Sequence, residues 1–201
     1  MGKRLAAVFV VAFALGAVAG SARGETEMAM LEQPPSGSAS VPSVAGLRAA
    51  VASEARHLGA ELRDTIAHAV ARASHEQGLP AFLLVALIAQ ESGFDPSAEN
   101  AGALGLMQLR PFVARDYARR RGLAWKGEAS LHDPAQNVAL ASGYLGELRD
   151  RFESLDLALA AYNKGPEAVK RDLRDDLQPR QSFVDGVMRR YERYQARFGG
   201  I

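Results

Sequence analysis

From about Ala45 onward the hydrophobic positions recur at helical spacing. Leu47, Val51, Leu58, Leu62 and Ile66 fall on one helical face, in a stretch that Gly78 stops. Pro80 suits the first turn of a next helix, which carries Leu83, Leu84, Leu87 and Ile88. A glycine-rich loop follows from Gly93 to Gly105, and Pro111 to Arg121 predicts another helix. Asp133-Pro134-Ala135-Gln136 has the composition of a helix start, with Asp as N-cap, Pro at the first helical position and Gln at the third. Val138, Ala141, Leu145, Leu148 and Phe152 continue that helix as one stripe. A shorter helix from Leu155 to Asn163 is stopped by Gly165-Pro166, and a last one shows Val184, Val187, Met188, Tyr191 and Phe198. No run alternates as a half-buried strand does, and no repeat of solenoid period is present. The pattern predicts an all-α, compact domain of roughly six to eight helices over residues 45–201.

Before residue 45 the pattern changes. Lys3 and Arg4 precede an apolar run from Leu5 to Leu15. Small residues follow, with Ala17-Val18-Ala19 and Ala22-Arg23-Gly24 as cleavage signatures. This predicts a secretory signal peptide over residues 1–24. The apolar run is short of the roughly 20 residues that a membrane span needs. The expectation is a cleaved leader, a periplasmic or secreted product and no stable membrane anchor. Residues 25–44, with Pro34-Pro35-Ser36-Gly37-Ser38, have the composition of a flexible linker.

Composition narrows the function classes. Of 201 residues, 48% are hydrophobic and 23% charged, which is ordinary for a globular protein. The 24 basic and 23 acidic residues nearly cancel, so nothing points to nucleic acid as a partner. Loss of the leader removes Lys3, Arg4 and Arg23 and leaves the remainder slightly acidic. Cysteine is absent, which excludes disulfides, a thiol nucleophile and a cysteine zinc site. The histidines, His57, His68, His75 and His132, include no His-x-x-x-His pair, so neither a metal nor a cofactor is expected. Arg119-Arg120-Arg121 fits a solvated helix end. Trp125 fits either a packing role or a sugar platform.

One carboxylate is out of pattern. Glu91 follows Ile88 by three positions, Leu87 by four and Leu84 by seven, so it extends an apolar stripe. A carboxyl held against apolar side chains loses hydration, and its neutral form is favoured, as a general acid near neutral pH requires. Glu91-Ser92-Gly93-Phe94-Asp95-Pro96 then turns the chain sharply. The run Gly105-Leu106-Met107-Gln108 offers amides and a Gln side chain with little bulk, suited to a neutral, hydroxyl- and amide-rich ligand. Ala160-Ala161-Tyr162-Asn163 ends a helix with a phenol and an amide.

Taken together, these segments resemble the soluble-type lytic transglycosylases, a goose-lysozyme-like family. The family pattern Glu-Ser-x-Phe-x-Pro is matched from Glu91 to Pro96, Gly-Ala-x-Gly-Leu-Met-Gln from Gly102 to Gln108, and Ala-Tyr-Asn-x-Gly-Pro from Ala161 to Pro166. Asp133-Pro134, Asn137 and Tyr144-Leu145 also match. The resemblance covers roughly Thr65 to Tyr191 and implies a lysozyme-like helical fold with a long cleft. It implies Glu91 as the catalytic acid/base and Ser92 as a residue orienting acid and sugar. Gly105, Leu106, Met107 and Gln108 become groove residues, Tyr162 the phenol near the acid and Asn163 its helix-end partner. The implied partner is the glycan strand of peptidoglycan. Asn100 stands where the family commonly has Ser, and Ala141 where it commonly has Gly.

Most glycosidases use two carboxylates. Asp95, Glu99 and Asp133 are the candidates for a second, with Asp133 better explained as an N-cap. With Glu91 alone, the chemistry becomes substrate-assisted and yields a 1,6-anhydromuramic end. The alternatives are a goose-type lysozyme that hydrolyses the same bond, and a non-catalytic glycan-binding module of a secretion or pilus assembly. A cell-envelope secretion or appendage machine is compatible with the small size, and a monomer is expected.

Overall fold

The computed structural model describes residues 43–177 and 182–200. The predicted signal peptide and nearly all of the predicted linker lie outside them. Eight α-helices are present among the described residues: α1 (Val44–Glu54), α2 (Ala60–Gln77), α3 (Ala81–Glu91), α4 (Pro111–Arg121), α5 (Pro134–Phe152), α6 (Leu155–Lys164), α7 (Pro166–Arg174) and α8 (Ser182–Phe198). The all-α expectation holds, with three local differences.

First, the stretch ending at Gly78 is two helices. Residues between Glu54 and Gly59 break it, and Gly59 in an extended conformation starts α2. The face from Leu47 to Ile66 is continuous in spacing, but periodicity alone does not register a short break. Second, Pro166 does more than stop α6. It occupies the first position of α7, where its missing N–H has no partner to lose. Third, the glycine-rich loop holds a small antiparallel hairpin, β1 (Glu99–Asn100) and β2 (Ala103–Leu104), joined through Ala101 and Gly102, both at positive φ. Two-residue turns of that kind match the twist of paired strands. A 3-10 turn at Glu128–His132 leads into α5.

The ends are capped as their residues dictate. The Asp133 carboxylate accepts from the Gln136 N–H, and the Ser154 hydroxyl accepts from the Leu157 N–H. Gly78 ends α2 in the left-handed conformation. Arg149 of α5 then donates to the carbonyls of Gln77 and Gly78, both at 2.9 Å, so two helix-end acceptors gain a charged donor.

α3 occupies the middle of the core. Its residues Ala81–Ile88 are all buried, and α1, α2 and α8 pack around it. α5 packs on both α2 and α6, and α4 lies against α5. Tyr194 and Phe198 of α8 are buried, so the aromatic residues of the last helix serve packing. No helix among the described residues is long and apolar enough to cross a membrane.

The α4–α5 contact rests on a small residue. A Cβ at Gly143 would lie 2.0 Å from the hydroxyl oxygen of Tyr117, which is itself buried. Alanine is about 1 kcal/mol better than glycine inside a helix, but overpacking costs about 1–3 kcal/mol. Gly143→Ala is expected to destabilise the domain by a net of up to ~2 kcal/mol in denaturant unfolding.

Candidate active site

Glu91 is the last residue of α3, so a helix buried over its first eight positions delivers one carboxyl to the wall of an open cleft of about 790 Å³. The cleft is also lined by Gln108, Tyr144, Tyr162, Asn163 and Arg110. Burial strips the Glu91 carboxylate of water and raises its pKa from 4.5 to about 7. It is therefore poised between acid and base near neutrality.

The other carboxylates have other work. Asp95 accepts from the N–H and the hydroxyl of Ser97, at 2.8 and 2.7 Å, and these bonds lower its pKa. Glu99 faces His132 at 3.3 Å, and Asp133 is the α5 cap. Two further acids line the cleft, and both are ion-paired. Asp116 pairs with Arg119 and Arg120, and Glu147 with Arg120 and Arg121 at 2.7 and 2.8 Å. The Arg119-Arg120-Arg121 run thus neutralises the acids of one cleft wall. Glu91 is the cleft carboxylate that no cation pairs among the described residues.

The loop from Ser92 to Leu109 is fastened to Glu91 from behind. The Ser92 hydroxyl donates to the Leu106 carbonyl at 2.8 Å, so Ser92 joins the end of α3 to the loop and does not line the cleft. Leu106 and Met107 are fully buried. Their side chains pack in the core, and what Met107 presents is its carbonyl, which accepts the Tyr162 hydroxyl at 2.7 Å. Gln108 does line the cleft. Its Nε2 donates to the carbonyls of Ala98 and Gly105, at 3.0 and 2.9 Å, so Oε1 is the atom it can offer a ligand. Gly105 is buried with φ 73°, and a Cβ there would lie 2.1 Å from the Leu131 carbonyl. Only glycine fits such a backbone approach. Trp125 packs partly buried against the core and is not a cleft residue.

Tyr162 and Asn163 end α6 on the cleft wall. Burial, then the charge of Glu91, then Tyr144 hold the Tyr162 phenol well above its usual pKa of 10. It therefore stays protonated, with its hydrogen directed to Met107. The Tyr144 ring lies 5.9 Å from that of Tyr162.

Asn137 is the residue whose role the sequence did not disclose. It is wholly buried in the first turn of α5. Its Oδ1 accepts from the Met107 N–H at 2.8 Å, and its Nδ2 donates to the carbonyls of Leu104 and Leu131, both at 2.9 Å. A signal was available, because Asn137 lies four positions before Ala141 on the apolar stripe of α5. A polar residue on a buried face must be hydrogen-bonded. Tyr144 was matched without a role, and Arg110 and Phe112, which also line the cleft, were not singled out by any feature of the sequence.

Two outcomes follow from this geometry. Asn137→Ala leaves the Met107 N–H and the Leu131 carbonyl without their partner in the interior, while the Leu104 carbonyl keeps the Leu109 N–H, and is expected to lower stability by about 2 kcal/mol or more, read by denaturant unfolding. For Glu91, the folded protein keeps a proton between pH 4.5 and about 7 that the unfolded chain has released. Its contribution is fully present below pH 4.5 and is lost as pH rises through about 7, a change of ~3 kcal/mol. Glu91→Gln, neutral at every pH, is expected to be ~3 kcal/mol more stable than wild type above pH 7 and equal to it below pH 4.5.

The similarities to known proteins agree with this arrangement. The family model described as the transglycosylase SLT domain matches residues 68–182. Over 118 residues the chain is 36% identical to the membrane-bound lytic murein transglycosylase C of Actinobacillus succinogenes, covering 53% of this chain and 33% of that protein. Over 123 residues it is 39% identical to the endo-type membrane-bound lytic murein transglycosylase A of Klebsiella pneumoniae, covering 55% of this chain and 58% of that one. The chain thus spans less than two thirds of the curated relatives it matches. Among solved structures, an inactive mutant of the lytic transglycosylase Slt from Pseudomonas aeruginosa superposes with a TM-score of 0.60 at 28% identity, over 65% of this chain and 24% of that one. The 70 kDa soluble lytic transglycosylase of Escherichia coli shares the fold, with a TM-score of 0.63 at 20% identity, over 76% and 29%. With more than half of its length matched by the family model, and with the motif residues gathered around one cleft, the chain belongs to the transglycosylase SLT domain family.

Proposed function

We propose that this protein is an exported lytic murein transglycosylase that cuts the β-1,4 bond between N-acetylmuramic acid and N-acetylglucosamine, with Glu91 as its single acid/base. The observation that carries the reading is the cleft carboxyl of Glu91, unpaired and raised to about pH 7, while Asp116 and Glu147 are held by arginines. The names of the relatives, lytic murein transglycosylases, support the same substrate class.

The steps follow from having one acid. Protonated Glu91 gives its proton to the glycosidic oxygen as the C1–O bond breaks. The 2-acetamido oxygen of the muramic sugar stabilises the positive charge at C1, the role a second carboxylate plays elsewhere. Glu91, now a carboxylate, takes the proton of the C6 hydroxyl, and O6 closes on C1. The product is a 1,6-anhydromuramic end, no water is consumed, and Glu91 is left protonated for the next turn. Tyr162, its proton committed to Met107, faces the site through its oxygen.

Glu91→Gln is expected to lower glycan release by at least about a hundredfold, the general acid–base contribution. Wild-type activity falls as pH rises through about 7, where Glu91 loses the proton it must donate. Mass spectrometry of the released fragments identifies the reaction: anhydro ends support the transglycosylase. Reducing ends one water heavier identify a hydrolase of the same fold. Binding without cleavage by wild type identifies a glycan-binding module.

A further inference from the structure

Glu91 lies between two residues that do not line the cleft, and each is tied to a different part of the molecule. Ser92, on one side, is fastened to the Leu106 carbonyl. Gln90, on the other, reaches α8, where its Oε1 accepts from Nη1 of Arg190 at 2.7 Å. The same Nη1 lies 3.3 Å from the carbonyl of Gly186, one turn earlier on α8. The guanidinium thus bridges its own helix and the end of α3, through a hydrogen bond of the stronger, charge-assisted kind.

Room for the Gln90 amide comes from a missing side chain. Gly186 is buried within α8, and a Cβ there would lie 2.8 Å from Gln90 Oε1 and 3.4 Å from its Cδ. Glycine inside a helix costs about 1 kcal/mol relative to alanine. At this position the bare backbone is what lets the amide sit against α8.

The need for a tether follows from where α3 leaves the core. Burial is complete from Ala81 to Ile88 and only partial from Ala89 to Glu91. Core packing fixes the body of the helix, and helix ends are where the backbone frays. With Gln90 held to α8 and Ser92 to the loop, the backbone that projects Glu91 is fixed on both sides. Resting on the reading of Glu91 as the catalytic acid, we infer that Gln90, Arg190 and Gly186 form a positioning device that aims the Glu91 carboxyl into the cleft. The three act through Glu91.

Two readouts separate this role from ordinary packing. A misplaced acid lowers kcat more than it raises KM, and a displacement of about 1 Å can cost about a hundredfold. The second readout is the titration of Glu91 itself. Burial is what raises its pKa, and Tyr162, the titratable group facing it, stays protonated. The titration midpoint therefore reports how far the carboxyl is held from water.

The experiment uses the full chain. It takes kcat and KM from release of soluble fragments from peptidoglycan sacculi, and the Glu91 midpoint from carbon NMR of the side-chain carboxyl. Gln90→Met and Arg190→Met are each expected to lower kcat about fivefold or more and to keep KM within about twofold. Each also moves the Glu91 midpoint down from about 7 by about half a pH unit or more. Arg190→Lys, which keeps a charged donor, holds kcat within about twofold of wild type. Gly186→Ala gains helix propensity and displaces the amide, so kcat falls in the same way while the thermal midpoint stays within about 3 °C. Wild-type kcat and wild-type titration in both Gln90→Met and Arg190→Met overturn the device. A kcat loss that follows the thermal midpoint, with Glu91 titrating as in wild type, overturns it too. Wild type inert on sacculi overturns the transglycosylase reading, and the Glu91 titration in the variants still decides whether these residues hold the carboxyl in place.

Discussion

A carboxyl at the end of a helix withdrawn from water is the constraint on which this structure turns. From Ala81 to Ile88 every residue of α3 is buried, and Glu91 follows three positions later. Such a helix can exist only if other elements surround it, which α1, α2 and α8 do. The same enclosure leaves one outlet for the polar end, toward the cleft. Partial burial there favours the neutral acid, and the absence of a cation paired with it among the described residues preserves that preference. Had an arginine from α4 reached Glu91 as it reaches Glu147, the carboxyl would be held ionised and unable to donate a proton.

The loop behind Glu91 carries conformational strain. Phe94, Ala101 and Gln108 have positive φ although none is glycine. The left-handed region costs such residues roughly 1–2 kcal/mol each. Compensation is local and identifiable. The Phe94 ring is fully buried, Ala101 sits in a hairpin turn that wants positive φ, and Gln108 makes two side-chain hydrogen bonds within the loop. Strain of this kind, gathered next to the acid and held by surrounding contacts, is a common mark of a functional loop.

Much of the helical framework was legible because apolar spacing and caps agree. The start of α5 at Asp133-Pro134 and the span of α4 need nothing beyond local chemistry. Glu91 was legible for a related reason, a charge on an apolar stripe. What was not legible depends on contacts distant in sequence. Met107 and Leu106 belong to a motif that the resemblance placed in the groove, yet their side chains are in the core and the backbone does the contacting. Ser92 lies next to the acid, but its hydroxyl turns to Leu106, fourteen residues on. The hairpin at Glu99–Leu104 is too short to show alternation. Pro166 stops one helix and starts another, and a single proline gives no sign of which role dominates.

Asn137 has a consequence for the lifetime of the site. Its three bonds join the loop strand at Leu104, the backbone of Met107 and the turn at Leu131 to the first helical turn of α5. α5 in turn packs on α2 and α6, and α6 carries Tyr162. The cleft wall is thereby tied to the same cooperative unit as the core. A loop fastened in this way has no cheap route to open by itself, so thermal loss of the site and melting of the domain become one event. Heat resistance of this protein is then a property of its interior, to be raised by better helix packing and left alone at the cleft.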